Sequence, residues 1–332
     1  MKAFQVAAFG PLESHGLAEL PEPTPGRGEV LVAVACCDVN FPDILVIEGR
    51  YQVKPPLPFV PGKAAAGTIL ALGEGVTQRR VGERVLVQVE YGAFAERMAL
   101  PAALAMPIPD SLSFEQATAL GLVYQTAWFA LTDRGGLRSG ERVLVLGASG
   151  GVGMAALQLA KALGAAQVLG GARGAAKLEL TRGFGADATV DLGRADLAES
   201  LRAQVRDATD GQGVDLVIDP VGGEATQAAL RALAWRGRLV VIGFAAGTIP
   251  TIKANYLLVK NIAVSGLQWS DYRDRDPAWM AEAQAEIFAF AAAGHLDPHI
   301  AQVLPLAEAG RALALLRDGG AEGKILLSTG AA

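Results

Sequence analysis

Val143-Leu-Val-Leu-Gly-Ala-Ser-Gly-Gly-Val-Gly153 is the stretch that decides how this chain folds. Its first four residues are apolar and partly β-branched, as a buried strand requires. Glycines follow, and beyond them an Ala- and Leu-rich run continues to Leu163 and stops at Gly164. A strand passing through a glycine turn into a helix is the setting in which a pyrophosphate is held. The free N–H groups of the helix start point at the anion, and the helix dipole favours negative charge there. Against the pattern G-x-G-x-x-G the best register is Ala148, Gly150 and Gly153, with alanine in first place. Gly150 would let the backbone approach the phosphates, and Gly153 would let helix and strand pack closely. Ser149, Gly151 and Val152 complete the candidate cofactor loop. Residues 143–160 carry no charge and are just long enough to be mistaken for a membrane span. Gly147, Gly150, Gly151 and Gly153 interrupt them, so strand, turn and helix is the better reading.

Downstream, apolar runs at 167–169, 188–190, 216–219 and 238–242 alternate with helical stretches near 175–182, 197–207 and 224–233. Such alternation predicts a doubly wound parallel sheet covered by helices on both faces. An NAD enzyme usually places an acid at the end of the second strand, to accept from the ribose 2′-OH. This chain has Val168-Leu-Gly-Gly-Ala-Arg-Gly174 there, with Lys177 one helical turn later. Arg173 offers a forked contact and Lys177 a point charge, which suits a 2′-phosphate, so NADPH is the expected cofactor. The alternative is that both are solvated surface cations.

Upstream the pattern is different. Val30-Leu-Val-Ala-Val-Ala35, Gly67-Thr-Ile-Leu-Ala-Leu-Gly73 and Glu83-Arg-Val-Leu-Val-Gln-Val89 are compact strand-like runs. Prolines at 55, 56, 58 and 61 mark a rigid loop. Ser113 with Gln116 reads as a capping pair that opens a helix. The chain has 332 residues, 51% of them apolar, which calls for two domains. The expectation is a nucleotide-binding domain at 123–260, inserted between parts 1–122 and 261–332 of a β-rich domain. The net charge of −5 gives no support for a nucleic-acid or membrane partner. The N-terminus has no apolar leader. The only cysteines, Cys36 and Cys37, are adjacent and would strain an intrachain disulfide, which fits a reducing, cytoplasmic setting.

Seven motifs fall in a fixed order: Val39-Asn-Phe-Pro-Asp43, Pro58-Phe-Val-Pro-Gly62, Gly147-Ala-Ser-Gly-Gly-Val-Gly153, Gly211-Gln-Gly-Val-Asp215, Asp219-Pro-Val-Gly-Gly223, Val241-Ile-Gly-Phe244 and Gly323-Lys-Ile-Leu326. In this order the chain resembles, nearly end to end, the quinone oxidoreductase (zeta-crystallin-like) branch of the medium-chain dehydrogenase/reductases. The resemblance implies an α/β chain: a GroES-like β-rich catalytic domain with a cleft against a Rossmann domain that binds NADPH. It also implies a homodimer and hydride transfer to quinones or related conjugated carbonyls. It places Asn40 and Thr126 near the nicotinamide, Gly243, Phe244 and Ala245 along the cofactor, and Asp43 as an organiser of its loop.

Zinc-dependent relatives need three ligands, and by the family pattern these positions are Asn40, Lys63 and Leu122 here. None is a plausible ligand set, and the four-cysteine structural lobe is missing, so no metal is expected. Without one, the acceptor must itself be electron-poor, as quinones and enones are. Lys63, in a vacated ligand position, is a candidate hydrogen-bond or proton donor to the acceptor oxygen, or else a solvent-facing loop residue. Tyr51, Tyr124 and Trp269 are candidate walls for a flat acceptor, or else core packing. Leu45 and Leu192 stand where the family often has tyrosine. The alternatives are an NADPH-dependent 2-enoyl thioester or alkenal reductase, a non-catalytic NADPH-binding protein, and an RNA-binding protein.

Overall fold

The computed structural model describes residues 1–330, which divide into two compact units. Unit 1 comprises 1–122, 270–292 and 298–330; unit 2 comprises 123–269 and 293–297.

Unit 1 is built on a seven-stranded sheet. Its order is Ile300–Pro305, Lys324–Ser328, Glu29–Asp38, Ala64–Leu72, Arg84–Gln88 and Ala105–Pro107, with Arg97–Pro101 also pairing to Glu29–Asp38. The central strand Glu29–Asp38 buries Val30, Val32 and Val34 on one face while the residues between them are half-buried. That alternation follows from the two-residue period of a strand. Phe4, Phe59, Phe94 and Ile69 pack against those valines in one core. The expected cap at Ser113 forms: its hydroxyl accepts the Gln116 backbone N–H at 3.1 Å, and Gln116 Oε1 accepts the Ser113 N–H at 3.0 Å.

Unit 2 is a six-stranded, wholly parallel sheet. Its order is Ala188–Asp191, Gln167–Ala172, Arg142–Leu146, Val214–Asp219, Leu233–Val241 and Ala263–Gly266. The chain starts at Arg142–Leu146, winds to one edge, then returns and winds to the other. The strand order therefore reverses between Arg142–Leu146 and Val214–Asp219, where doubly wound sheets open a ligand crevice at the strands' carboxyl ends. Helix Leu197–Ala208 shows why these segments fold this way. It buries Leu197, Leu201 and Val205 at four-residue spacing against Leu144, Leu169 and Val217 of the sheet.

The expected boundary at 260/261 needs correction. Strand Ala263–Gly266 pairs in parallel with Leu233–Val241, so it is the sixth strand of unit 2, which runs on to Trp269. Four residues lack the length to reveal in sequence which sheet they join. No helix among the described residues is long and apolar enough to cross a membrane.

Candidate functional site

In unit 2 the strand Arg142–Leu146 leads through Gly147, at φ +62°, into helix Gly151–Ala162. At Gly153 a Cβ would lie 2.3 Å from the Gly147 carbonyl oxygen and 2.6 Å from Ala148 Cα, so only glycine allows the helix this close to the turn. At Gly150 a Cβ would meet nothing nearer than that same oxygen, at 3.4 Å. Gly150 caps the helix with an extended backbone any residue can adopt, so the protein itself has no need of glycine there. The open side of Gly150 is the cradle a phosphate group would fill, flanked by the half-buried Ser149, Gly151 and Val152.

Two further loops sit at the carboxyl ends of neighbouring strands. The buried Asp219 carboxylate accepts N–H bonds from Val221 and Gly222 at 2.9 Å each and the Thr226 hydroxyl at 2.5 Å, which fixes the turn after Val214–Asp219. Burial pushes this carboxyl up, and those hydrogen bonds pull the other way. The Pro220 and Val221 carbonyls accept the Ala245 and Ala246 N–H groups, tying the Gly243–Phe244–Ala245 loop to that turn. Phe244 is 41% exposed, a large apolar ring left in solvent beside the loop.

Arg173 follows strand Gln167–Ala172 and lines an open groove of about 420 Å³ together with Leu192, Gly193, Arg194 and Glu224. Lys177, in the first turn of helix Ala175–Gly183, is exposed and does not line this groove. Neither Arg173 nor Lys177 forms an ion pair among the described residues, whereas Arg194 stands 3.9 Å from Asp191. Arg194 is a further cation of this groove that no sequence motif marks; its one signal is an arginine just past strand Ala188–Asp191.

Thr126 is buried on helix Leu122–Phe129. Two of the candidate acceptor walls, Tyr124 and Trp269, lie buried in unit 2. Tyr124 is fully buried, and its hydroxyl donates to Gln158 Oε1 at 2.7 Å; Trp269 is buried, with Nε1 donating to Gln125 Oε1 at 3.2 Å. Both satisfy their polar ends inside unit 2.

In unit 1, the solvent-facing alternative for Lys63 is also corrected. Lys63 is 2% exposed, and its ammonium donates to Glu90 Oε1 at 2.5 Å and to the Glu90 carbonyl at 3.1 Å. The Tyr51 ring lies 4.7 Å away, a cation–π contact, and Tyr51 stays partly open to solvent. Arg273 holds the other Glu90 oxygen at 2.9 Å. Arg273 also pairs with Asp274 at 2.7 Å, so two cations face two carboxylates and Lys63 sits in a charge-compensated cluster, as buried ions must.

Asn40 ends the run after Glu29–Asp38 and caps helix Phe41–Ile47, where the Asp43 carboxylate accepts its N–H at 2.8 Å. Burial pushes the Asp43 carboxyl up to about 7, against the attraction of Lys63. A raised carboxyl favours the fold while both states are protonated. That contribution declines from roughly pH 4, where the unfolded chain ionises, and is gone above roughly pH 7. Asp43→Asn cannot titrate, so its melting temperature should gain on the wild type as pH rises across that window, by the equivalent of about 4 kcal/mol. Parallel melting curves at both ends of the window check this; a constant difference would contradict it.

Cys36 and Cys37 are buried free thiols, and burial drives Cys36 up to about 12. Among the described residues no group of three or more His, Cys, Asp or Glu side chains could hold a metal ion.

Residues 26–110 match the alcohol dehydrogenase GroES-like domain and residues 151–284 the zinc-binding dehydrogenase domain. A quinone oxidoreductase-like protein 2 homolog of Nematostella vectensis is 38% identical, over 92% of this chain and 82% of that protein. The human synaptic vesicle membrane protein VAT-1 homolog is 32% identical, over 99% and 87% respectively. The solved structure of Escherichia coli quinone oxidoreductase complexed with NADPH superposes with a TM-score of 0.90 at 29% identity, over 99% of this chain and all of that one (100%). The chain belongs to the quinone oxidoreductase-like branch of the medium-chain dehydrogenase/reductase family.

Proposed function

We propose that this protein is an NADPH-dependent reductase that delivers hydride to quinones or related conjugated carbonyls and needs no zinc to do so. The observation that carries the reading is the pairing of an open cradle at Gly150 with Arg173 at the end of the second strand. An acid there would select the ribose hydroxyl of NAD; a cation suits a 2′-phosphate. The NADPH-bound Escherichia coli relative is consistent with it.

When bound, NADPH supplies the hydride. The helix N-terminus behind Gly150 and the Gly243–Ala245 loop hold the cofactor, and Arg173 and Lys177 neutralise its extra phosphate. Unit 1 serves the acceptor. Asn40 and Lys63 carry N–H donors, and Tyr51 offers a flat face. Charge that builds on the acceptor oxygen is stabilised by such fixed donors. An acceptor that already delocalises charge suits donors of this modest strength. The positions that hold zinc in related enzymes carry an amide, an engaged ammonium and an alkyl side chain, at Asn40, Lys63 and Leu122, which fits zinc independence.

A homodimer belongs to the same reading. Strand Ala263–Gly266 ends the sheet, and Trp235, Leu258 and Val259 of the same unit are each more than 70% exposed. An open sheet edge beside large exposed apolar side chains is what a symmetric partner covers. Buried free thiols fit a cytoplasmic location.

An acceptor panel tests the substrate class. The kcat/KM for an ortho-quinone should exceed that for a 2-enoyl thioester and a simple alkenal; turnover confined to the thioester would replace quinones by enoyl substrates. Lys63→Met should lower kcat roughly 10-fold with NADPH affinity unchanged. Unchanged turnover would make Lys63 a structural ion alone.

A further inference from the structure

Far from Lys63 in sequence, a second buried lysine touches Asn40. Lys324, from the last strand Lys324–Ser328, reaches across to the end of Glu29–Asp38, to which that strand pairs with Leu326 opposite Asp38. Its ammonium donates to Asp38 Oδ2 at 3.0 Å, to Asn40 Oδ1 at 2.8 Å and to the Val39 carbonyl at 3.4 Å. Asp38, Asn40 and Lys324 are each at most 4% exposed.

An ammonium can only donate, so the amide atom facing Lys324 has to be the Asn40 oxygen. The Asn40 amide nitrogen then faces the other way, and this buried Nδ2 has no hydrogen-bond partner among the described residues. A buried donor without an acceptor is costly, and folded proteins rarely keep one without a use for it. Without Lys324 the amide is free to flip, and a flipped amide presents a lone pair where an acceptor oxygen needs an N–H.

We infer that Lys324 is a positioning residue that locks the Asn40 amide with its NH₂ group aimed at the carbonyl oxygen of the acceptor. Asp38 balances the lysine charge, so the lock introduces no net charge into the buried site. The inference rests on the reading of Asn40 as an acceptor-side donor, and it adds a residue more than 280 positions away to that role.

The test is a double-mutant cycle on the full chain, reading kcat with an ortho-quinone and NADPH dissociation by fluorescence. Lys324→Met alone strands the Asp38 carboxylate, so Lys324→Met with Asp38→Ala is made beside it, and melting curves confirm that each variant is folded. The folded variant should lose roughly 10- to 100-fold in kcat, the range expected for a misdirected oxyanion donor, with NADPH affinity within about twofold. In an Asn40→Ala background the same pair of substitutions should cost less than about twofold more, because no amide is left to orient. Losses that multiply instead, or wild-type kcat in the folded Lys324 variant, overturn the lysine's role while leaving Asn40 in place. Wild-type kcat in Asn40→Ala alone removes the donor reading itself, and the inference with it.

Discussion

Replacing Arg173 and Lys177 together by alanine should weaken NADPH binding by roughly 100-fold or more and leave NADH binding within about twofold. The two cofactors differ only in the 2′-phosphate, so the selectivity measures that contact and cancels everything else. A hydrogen bond to a charged group contributes about 1.5–3 kcal/mol, and about 1.4 kcal/mol is a factor of ten in affinity. Arg173 supplies the larger share, because its planar fork can grip a phosphate with two N–H groups and because it lines the groove itself. Both side chains are exposed and unpaired before binding, so the substitutions leave no orphaned partner in the protein. The loss should shrink with added salt, since exposed charges are screened. Fluorescence titration with each cofactor gives the answer. Equal losses for NADPH and NADH would remove the 2′-phosphate assignment and return both residues to ordinary surface cations.

Two single-methyl substitutions, three residues apart, should fail in opposite ways. Gly153→Ala places its methyl inside van der Waals contact with the backbone at Gly147 and Ala148, which has no flexible end to move aside. Helix Gly151–Ala162 must then shift from the sheet, at a cost of about 3 kcal/mol, and the melting temperature should fall by roughly 5–10 °C. Gly150→Ala meets only ordinary contact and an extended backbone, so its melting temperature should hold within about 2 °C. NADPH affinity should nevertheless fall about 10-fold or more, because the methyl occupies the space a pyrophosphate oxygen needs. Calorimetry of the free proteins, with a cofactor titration beside it, separates the two effects. A Gly150→Ala variant that binds NADPH normally would show that the cradle is not where the phosphates sit.

The doubly wound sheet was legible because its signals are local. Each strand of unit 2 has its own apolar run, and the turn 147–153 carries its glycines in one place. The capping pair Ser113 and Gln116 lies three residues apart, and both of its hydrogen bonds form. What escaped was non-local or short. Strand Ala263–Gly266 is too brief to announce its sheet. An aromatic residue's sequence neighbours do not tell whether its polar end meets solvent or a buried amide, so Tyr124 and Trp269 could not be placed. The burial of Lys63 depends on Glu90 and on Arg273, a further 183 residues along the chain. In sequence, Lys324 stands out only as part of Gly323-Lys-Ile-Leu326. Its bond to Asn40 exists because two strands distant in sequence lie side by side.

The most direct test of the central claim is the initial rate of NADPH oxidation by chelator-treated, metal-free protein, with an ortho-quinone as acceptor and NADH run in parallel. Rapid turnover that prefers NADPH is the expected result, and it would establish cofactor, reaction class and zinc independence together. Turnover that appears only when zinc is restored, or that prefers NADH, would contradict the account.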